Sequence, residues 1–442
     1  MAAKKNNFQI EPKSIDLDTF SIVYPALQTK DWNEFFRNTA VLKKDIQPLV
    51  LAKAINDLKE RFPNFYVQLK RGFFKYTLVC VKDTDVLTPE NDFPCRPFTV
   101  GSGGKPMFRV LYASNRLSLE IYHAVTDGGG AICFFKNILA RYMRLLGYQF
   151  DYTDGVLDIN EKPKESETED AFKKLNLNDI KRVSRSEDSA YQYVQINKDN
   201  LKVIHGLISV DALKKLTKAK GVTITEYLTA VFIYAFYKDL LPNKSKRPIK
   251  ICVPADLRRL FGSNTLRNFS LYANIGIHPN KRDYTFDEIL VETAQNFKEG
   301  FSKETLSSLA ITNIADANHI FLRCAPIFLR NVFIRIGFDL FSHRTFTSAL
   351  SNVGIVTLPK GLAEQVEHFE FVLGNAKKSK LECGTVTFGN VMDICFTSLS
   401  NITDIQRLFF THLTEQGINV SIQSNIQNGL PWEKINSRIV FV

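Results

Sequence analysis

The stretch Leu117–Leu146, LSLEIYHAVTDGGGAICFFKNILARYMRLL, holds a strand, a polar turn and a long helix in immediate succession. Leu117, Leu119 and Ile121 alternate with Ser118 and Glu120, the period of a half-buried strand. Ile132, Phe135, Ile138, Leu139, Tyr142, Leu145 and Leu146 recur along one face at the helical period. Between the two lies His123-x-x-x-Asp127-Gly128. The imidazole falls at the mouth of the strand, where it can face a cleft. Gly128, Gly129 and Gly130 allow a sharp turn and a close approach of backbone to a ligand. No other histidine in the chain has Asp four positions on. The competing reading is a structural histidine beside a helix N-cap aspartate, and these residues alone leave both open.

Working outward, 442 residues exceed one ordinary core, so two domains are expected. A hydrophobic content of 45% with 23% charged residues is that of a globular chain. The net charge of +11 and pI near 9.1 favour polyanions: nucleic acid, an acidic membrane, a phosphate-rich co-substrate or an acidic partner protein. No zinc-finger spacing or RNP-type aromatic strand accompanies the charge, so nucleic acid is not the expected partner. Seven scattered cysteines without a C-x-x-C pair read as buried thiols of a reducing compartment. The N-terminus lacks the apolar core of a signal peptide, and no run of about 18 apolar residues occurs. A cytoplasmic location is the expectation.

Residues 47–60 place Leu51, Ala54, Ile55 and Leu58 on one helical face, ended by Arg61-Phe62-Pro63. VQLKRGFFKYTLVC reads as a hairpin turning at Gly72, and residues 108–123 as two strands about Ser114-Asn115. Alternating helix and strand argues for layered α/β structure. Residues 151–195 are polar and charged, an exposed crossover between domains. Strands follow near residues 191–196 and 202–209, then helices from Asp211 to Lys220 and on to Leu240. PIKICVPADLRRLFG is a buried strand running into a loop with Asp256, Arg258 and Arg259, and LRNFSLYANIGI offers another. Residues 318–344 are Phe-rich with Arg323, Arg330, Arg335 and Arg344 interspersed, and Pro326 breaks the helix. They are read as core-packing helices whose arginines snorkel to water, in preference to a basic amphipathic membrane surface. The strand TSALSNVGIVTLP, a hairpin at Gly389-Asn390, a helix capped at Gly417 and the strand INVSIQS complete the chain.

Several chemistries are missing from the sequence. It has no G-x-S-x-G elbow. GSGGK at 101–105 fails as a P-loop, with Thr99 where the first Gly is needed and Pro106 where Ser or Thr is needed. His123 and Asp127 could be two metal ligands, but no third lies near in sequence.

His123-Ala-Val-Thr-Asp127-Gly128 resembles the active-site motif of the acyltransferases that include chloramphenicol acetyltransferase, the plant BAHD enzymes, nonribosomal peptide condensation domains and alcohol O-acetyltransferases. The helix, "RFP" and hairpin at 47–80 resemble their opening. Val253-Pro254-Ala255-Asp256-Leu257-Arg258 with Asn268-Phe269 resembles their second-half strand and loop, and Ser351-Asn352-Val353-Gly354 a strand of the alcohol acetyltransferase-like branch. The likeness spans roughly residues 15–425. Tyr122 stands where many condensation enzymes carry a second histidine, and the BAHD Asp-Phe-Gly-Trp-Gly motif is missing.

The resemblance implies two chloramphenicol-acetyltransferase-like α/β domains, each a mixed sheet with helices, around a central solvent tunnel. Residues 1–150 would form the first, 151–195 the crossover and 196–442 the second. It implies transfer of an acyl group from acyl-CoA, as co-substrate, to a small-molecule alcohol, without metal or prosthetic group. His123 would be general base, and Ser351, or else Ser348, the oxyanion donor. Asp127, Gly128 and Arg258 would be structural, with Arg258 pairing Asp127. The alternatives are a condensation-type enzyme using an acidic acyl-carrier protein or amine acceptors, and a non-catalytic acyl- or lipid-binding relative with peripheral membrane contact.

Overall fold

The computed structural model describes residues 14–28, 34–96, 103–175, 180–183, 188–193, 200–243, 245–320, 324–374, 381–400, 402–425 and 440–441. Three sheets organise them. The first has five strands in the order Val366–Leu373, Phe35–Leu42, Arg116–Tyr122, Phe108–Ala113, Leu87–Pro89. The second has eight, in the order Ser270–Ile277, Ile249–Asp256, Ser348–Val356, Glu382–Phe388, Val391–Ser398, Lys202–Ser209, Val420–Ser424, Val440–Phe441. A small sheet joins Ser14–Asp16, Tyr76–Cys80 and Val67–Arg71. Pairing is antiparallel except where Leu87–Pro89 meets Phe108–Ala113 and where Ser348–Val356 meets both its neighbours. The two large sheets are therefore mixed, as expected for layered α/β lobes.

Each large sheet is covered by helices whose apolar stripes it buries. On the first, Gly128–Leu145 places Phe134, Phe135, Ile138 and Leu139 inward. Phe134 stacks on Phe65 at 4.2 Å and meets Phe62 and Phe108 edge-on or tilted. Such aromatics contribute roughly 1.5–3 kcal/mol each by area alone, so the 35 phenylalanines serve the cores in good part. On the second, Ile224–Leu240 is buried nearly all round, between the sheet and the Phe286–Gly300 and Asp404–Glu415 helices. Its start is a capping box, with Thr223 accepting from Glu226 N and Glu226 accepting from Thr223 N.

Several readings of the sequence change. First, Val366–Leu373 lies in the second half of the chain but completes the first sheet, in antiparallel register with Phe35–Leu42. It carries Glu370, which accepts from Arg116 of the first sheet, toward His205 and Asp393 of the second. Burial opposes charge on His205, but Asp393 and Glu370 outweigh it and hold the ring protonated well above its ordinary range. Second, residues 151–175 are a packed strap. Val156, Ala171 and Phe172 are buried, Arg61 binds Glu167 through both guanidinium nitrogens at 2.6 and 2.9 Å, and Thr19 donates to Asp170. The apolar residues were too sparse to show a period, yet Val156 joins the first core and Phe172 packs between Phe20 and Phe269. Third, no strand forms at Tyr191–Tyr193, and the rest of that expected strand falls outside the described residues. Fourth, Val420–Ser424 is not the last strand, because Val440–Phe441 pairs beyond it. Of the cysteines, Cys324 is exposed, against the expectation of buried thiols, and no disulfide joins any of the seven.

Helix Ile327–Phe341 begins after Pro326, as the proline requires. Only its start, Ile327, joins the core. Phe328, Leu329, Val332, Ile336 and Leu340 face outward. Among the described residues no helix is long and apolar enough to cross a membrane.

Candidate active site

The strand Arg116–Tyr122 delivers His123 to the junction of the lobes. The ladder continues one residue past the strand, since His123 N donates to Glu34 O at 2.8 Å. Val125 N then donates to Tyr122 O, turning the chain toward the helix. The imidazole is partly exposed, stacked on Tyr24 at 4.5 Å and 23° and edged by Phe36 at 5.1 Å. Nearby, burial pushes the Glu34 carboxyl up to about 7.

Nδ1 of His123 lies 3.0 Å from Oδ1 of Asn268. The amide orientation is fixed independently, because Asn268 Nδ2 donates to the carbonyl of His123 at 3.0 Å, and a carbonyl only accepts. The same nitrogen reaches Ser21 Oγ at 2.8 Å. Asn268 Oδ1 is thus the acceptor, Nδ1 carries the proton, and Nε2 presents a lone pair. Burial lowers the pKa of His123 from its ordinary value, while Asp127, its own backbone carbonyl and Asn268 pull the other way. The net result is a neutral ring at neutral pH, the form a general base requires. Replacing Asn268 with alanine frees the tautomer. Turnover is expected to fall about 10–100-fold with a smaller change in KM, read from kcat and KM together.

Asp127 points away from this ring. It caps the Gly128–Leu145 helix, Oδ1 accepting from Gly130 N at 3.0 Å. Arg258 donates to both its oxygens, at 2.8 and 3.0 Å, and Phe269 N donates to Oδ2 at 2.8 Å. Burial alone would raise the Asp127 pKa; the guanidinium and the two amides outweigh it and hold the carboxyl below the usual range. Arg258 is anchored further by Thr265 O, Arg267 O and Asp256. The loop on one side of His123 and the Asn268 loop on the other are therefore clamped together. Thr126 Oγ1 adds a 2.6 Å bond to Leu266 O. At Gly130 a Cβ would overlap Thr126 Oγ1 and Leu266 O, so glycine is needed there for close approach.

Ser351 and Ser348 share the strand Ser348–Val356 but not a face. Side chains alternate, so Ser348 and Leu350 point into the second lobe, and Ser351 and Val353 point the other way. Val353 Cγ2 lies 3.9 Å from where a Cβ of Gly128 would sit, which puts that face against the start of the His123 helix. Ser348 is fully buried, with its hydroxyl donating to Leu381 O. As an oxyanion donor Ser348 is overturned: an odd spacing from Ser351 turns it into the core. Gly354 adopts a left-handed φ of 87°, and its N–H donates to Asn352 Oδ1 at 2.8 Å, shaping the irregular end of the strand.

The Asp127–Arg258 pair implied by the resemblance is present, Gly128 opens the helix after His123, and Ser351 lies on the strand face whose Val353 meets Gly128. It missed Asn268 as the group that orients the histidine. The signal available was a polar residue inside the apolar run LRNFSLY.

An alcohol acetyltransferase family model matches residues 156–276, which include Arg258 and Asn268 but not His123. No curated protein matches the sequence. Among solved structures, polyketide synthase associated protein 5 of Mycobacterium tuberculosis is 14% identical at TM-score 0.59, covering 90% of this chain and 96% of that one. TRI101 of F. graminearum, complexed with coenzyme A and T-2 mycotoxin, is 14% identical at TM-score 0.57, covering 89% and 96%. The epimerization domain of tyrocidine synthetase B is 12% identical at TM-score 0.56, covering 92% and 96%. Residues 156–276 are thus similar to the alcohol acetyltransferase family, and the chain shares the fold of these three solved structures.

Proposed function

We propose that the protein transfers an acyl group from a coenzyme A thioester to an alcohol, directly and without an acyl-enzyme. The observation that carries this reading is the Asn268 bond to Nδ1, which leaves Nε2 of His123 as a base. The family match over residues 156–276 supports an alcohol as acceptor, and the coenzyme A bound to TRI101 supports the donor. The net charge of +11 suits a co-substrate rich in phosphate.

In this reading Nε2 takes the proton of the alcohol as its oxygen attacks the thioester carbonyl. The carbonyl oxygen gathers negative charge and is met by the Ser351 hydroxyl. The C–S bond then breaks, and the imidazolium returns its proton to the departing thiolate. The first lobe is built on the five-stranded sheet, which includes Val366–Leu373, and the second on the eight-stranded sheet. A tunnel between them would hold both substrates in line and keep water from the thioester.

Incubation of the full chain with acetyl-CoA and a panel of primary alcohols tests the reading, with ester identified by mass spectrometry and free thiol followed in parallel. Thiol release that tracks ester formation is expected. Thiol release without any alcohol or amine product would refute it. Ser351→Ala is expected to lower kcat by about 10²–10³-fold with KM nearly unchanged. An unaltered kcat removes Ser351 from the oxyanion site.

A further inference from the structure

Helix Ile327–Phe341 is amphipathic in the reverse of the usual sense. Phe328, Leu329, Val332, Ile336 and Leu340 recur along its outer side. With Phe73 and Phe74 of the neighbouring hairpin tip they are 42–66% exposed. Arg330 and Asn331 turn inward, while Arg335 is exposed. Arg330 is buried and donates to Phe74 O at 3.0 Å, and Asn331 donates to the Tyr76 hydroxyl at 2.8 Å. Arg335 donates to Ala26 O at 2.6 Å. Ile327 N donates to Phe73 O at 2.9 Å, so helix and hairpin tip form one surface. An apolar patch this continuous is uncommon on a protein that leaves it in water.

Charge decides what covers it. The hairpin segment between Glu60 and Asp83 holds no carboxylate, and the helix holds one, Asp339. Lys70, Arg71 and Lys75 are exposed at the hairpin tip, and of these Lys75 pairs with Asp16 at 2.7 Å. Hydrocarbon with a cationic rim complements a surface that offers acyl chains beneath anionic headgroups. A second copy docked by two-fold symmetry would set this cationic patch against itself.

We propose that this face docks the protein on an anionic bilayer, the Ile327–Phe341 helix lying in the interface and Phe73–Phe74 inserted beside it. The docked helix rests on Val23–Leu27, whose Tyr24 stacks on His123, so the bilayer lies one helix away from the imidazole. Docking is independent of acyl transfer and is tested without it. Full-length protein is floated with phosphatidylcholine vesicles, with and without phosphatidylserine. Wild type is expected to float with the phosphatidylserine vesicles and to lose binding as salt rises. The double variant F328D/I336D is expected to bind at least about tenfold less. K70E/R71E is expected to bind about tenfold less to phosphatidylserine vesicles only. Both pairs are at the surface, so unchanged circular dichroism and melting confirm that the variants fold. Wild type that stays at the bottom of the gradient overturns the proposal, as does F328D/I336D floating like wild type. So does a wild-type dimer in sedimentation velocity that F328D/I336D dissociates, or a complex with an acyl-carrier protein lost in that variant while wild type ignores vesicles.

Discussion

His123→Ala is expected to lower kcat for acyl transfer by about 10²–10⁴-fold while the protein remains folded. The size follows from what the ring alone supplies. An alcohol attacks a thioester slowly unless its proton is withdrawn during the attack, and His123 Nε2 is the lone pair that the Asn268 bond leaves available. Stability changes little, because the ring is partly exposed and its losses are a stack on Tyr24, an edge contact with Phe36 and one hydrogen bond, about 1 kcal/mol for the last. Thiol release from acetyl-CoA in the presence of an alcohol, with a thermal melt of the same sample, checks both halves. Wild-type turnover in the variant excludes the base role; collapse of the melt makes His123 a structural residue.

Asp127→Ala is expected to have the opposite profile, a loss of about 3–5 kcal/mol of stability read as a lower urea midpoint at unchanged slope. The carboxylate receives Gly130 N, Phe269 N and both terminal nitrogens of Arg258. Its removal uncaps a helix and leaves the guanidinium with two carbonyls and Asp256. Activity falls as a consequence, since the clamp sets His123 against Asn268. The wild-type protein should show the same dependence under acid. A carboxyl whose folded pKa is depressed contributes stability that is present above its unfolded pKa, about 4, and is lost as pH falls through the lower folded value. Asp127→Ala should therefore lose less stability than wild type on acidification. An unchanged urea midpoint would show that the clamp is dispensable.

Local periodicity carried the reading of the site's scaffold. The strand before His123 and the helix after it show in alternating and helical patterns, and Asp127 as N-cap follows from its place at the first turn. Partners far along the chain were legible only by resemblance, as Arg258 was. Asn268, 145 positions from His123, was not, because hydrogen bonding to a ring nitrogen leaves no periodic trace. Ser348 and Ser351 could have been told apart, since three residues along a strand reverse the face.

Elsewhere, propensity and pattern pointed away from the outcome. Phe35–Leu42 is wholly buried yet contains Arg37, Asn38 and Thr39. Arg37 pairs with Glu90 and Glu120 inside the sheet, so its charge disguised a central strand. The pattern of Val366–Leu373 marks a strand but cannot name its sheet. Ile327–Phe341 turns an apolar side outward, and its orientation is set by where Arg330 and Arg335 find carbonyls. Sequence alone shows neither carbonyl.

The most direct measurement is the pH dependence of kcat/KM for ester formation from acetyl-CoA and an alcohol. His123 must be neutral to accept a proton, and burial sets its folded pKa below the ordinary value of about 6.5. The rate should rise with pH along an acid limb centred below that value, level off through neutrality, and show no such limb in His123→Ala. A wild-type rate flat across that range, or an identical limb in the variant, would contradict the assignment of this imidazole as the base.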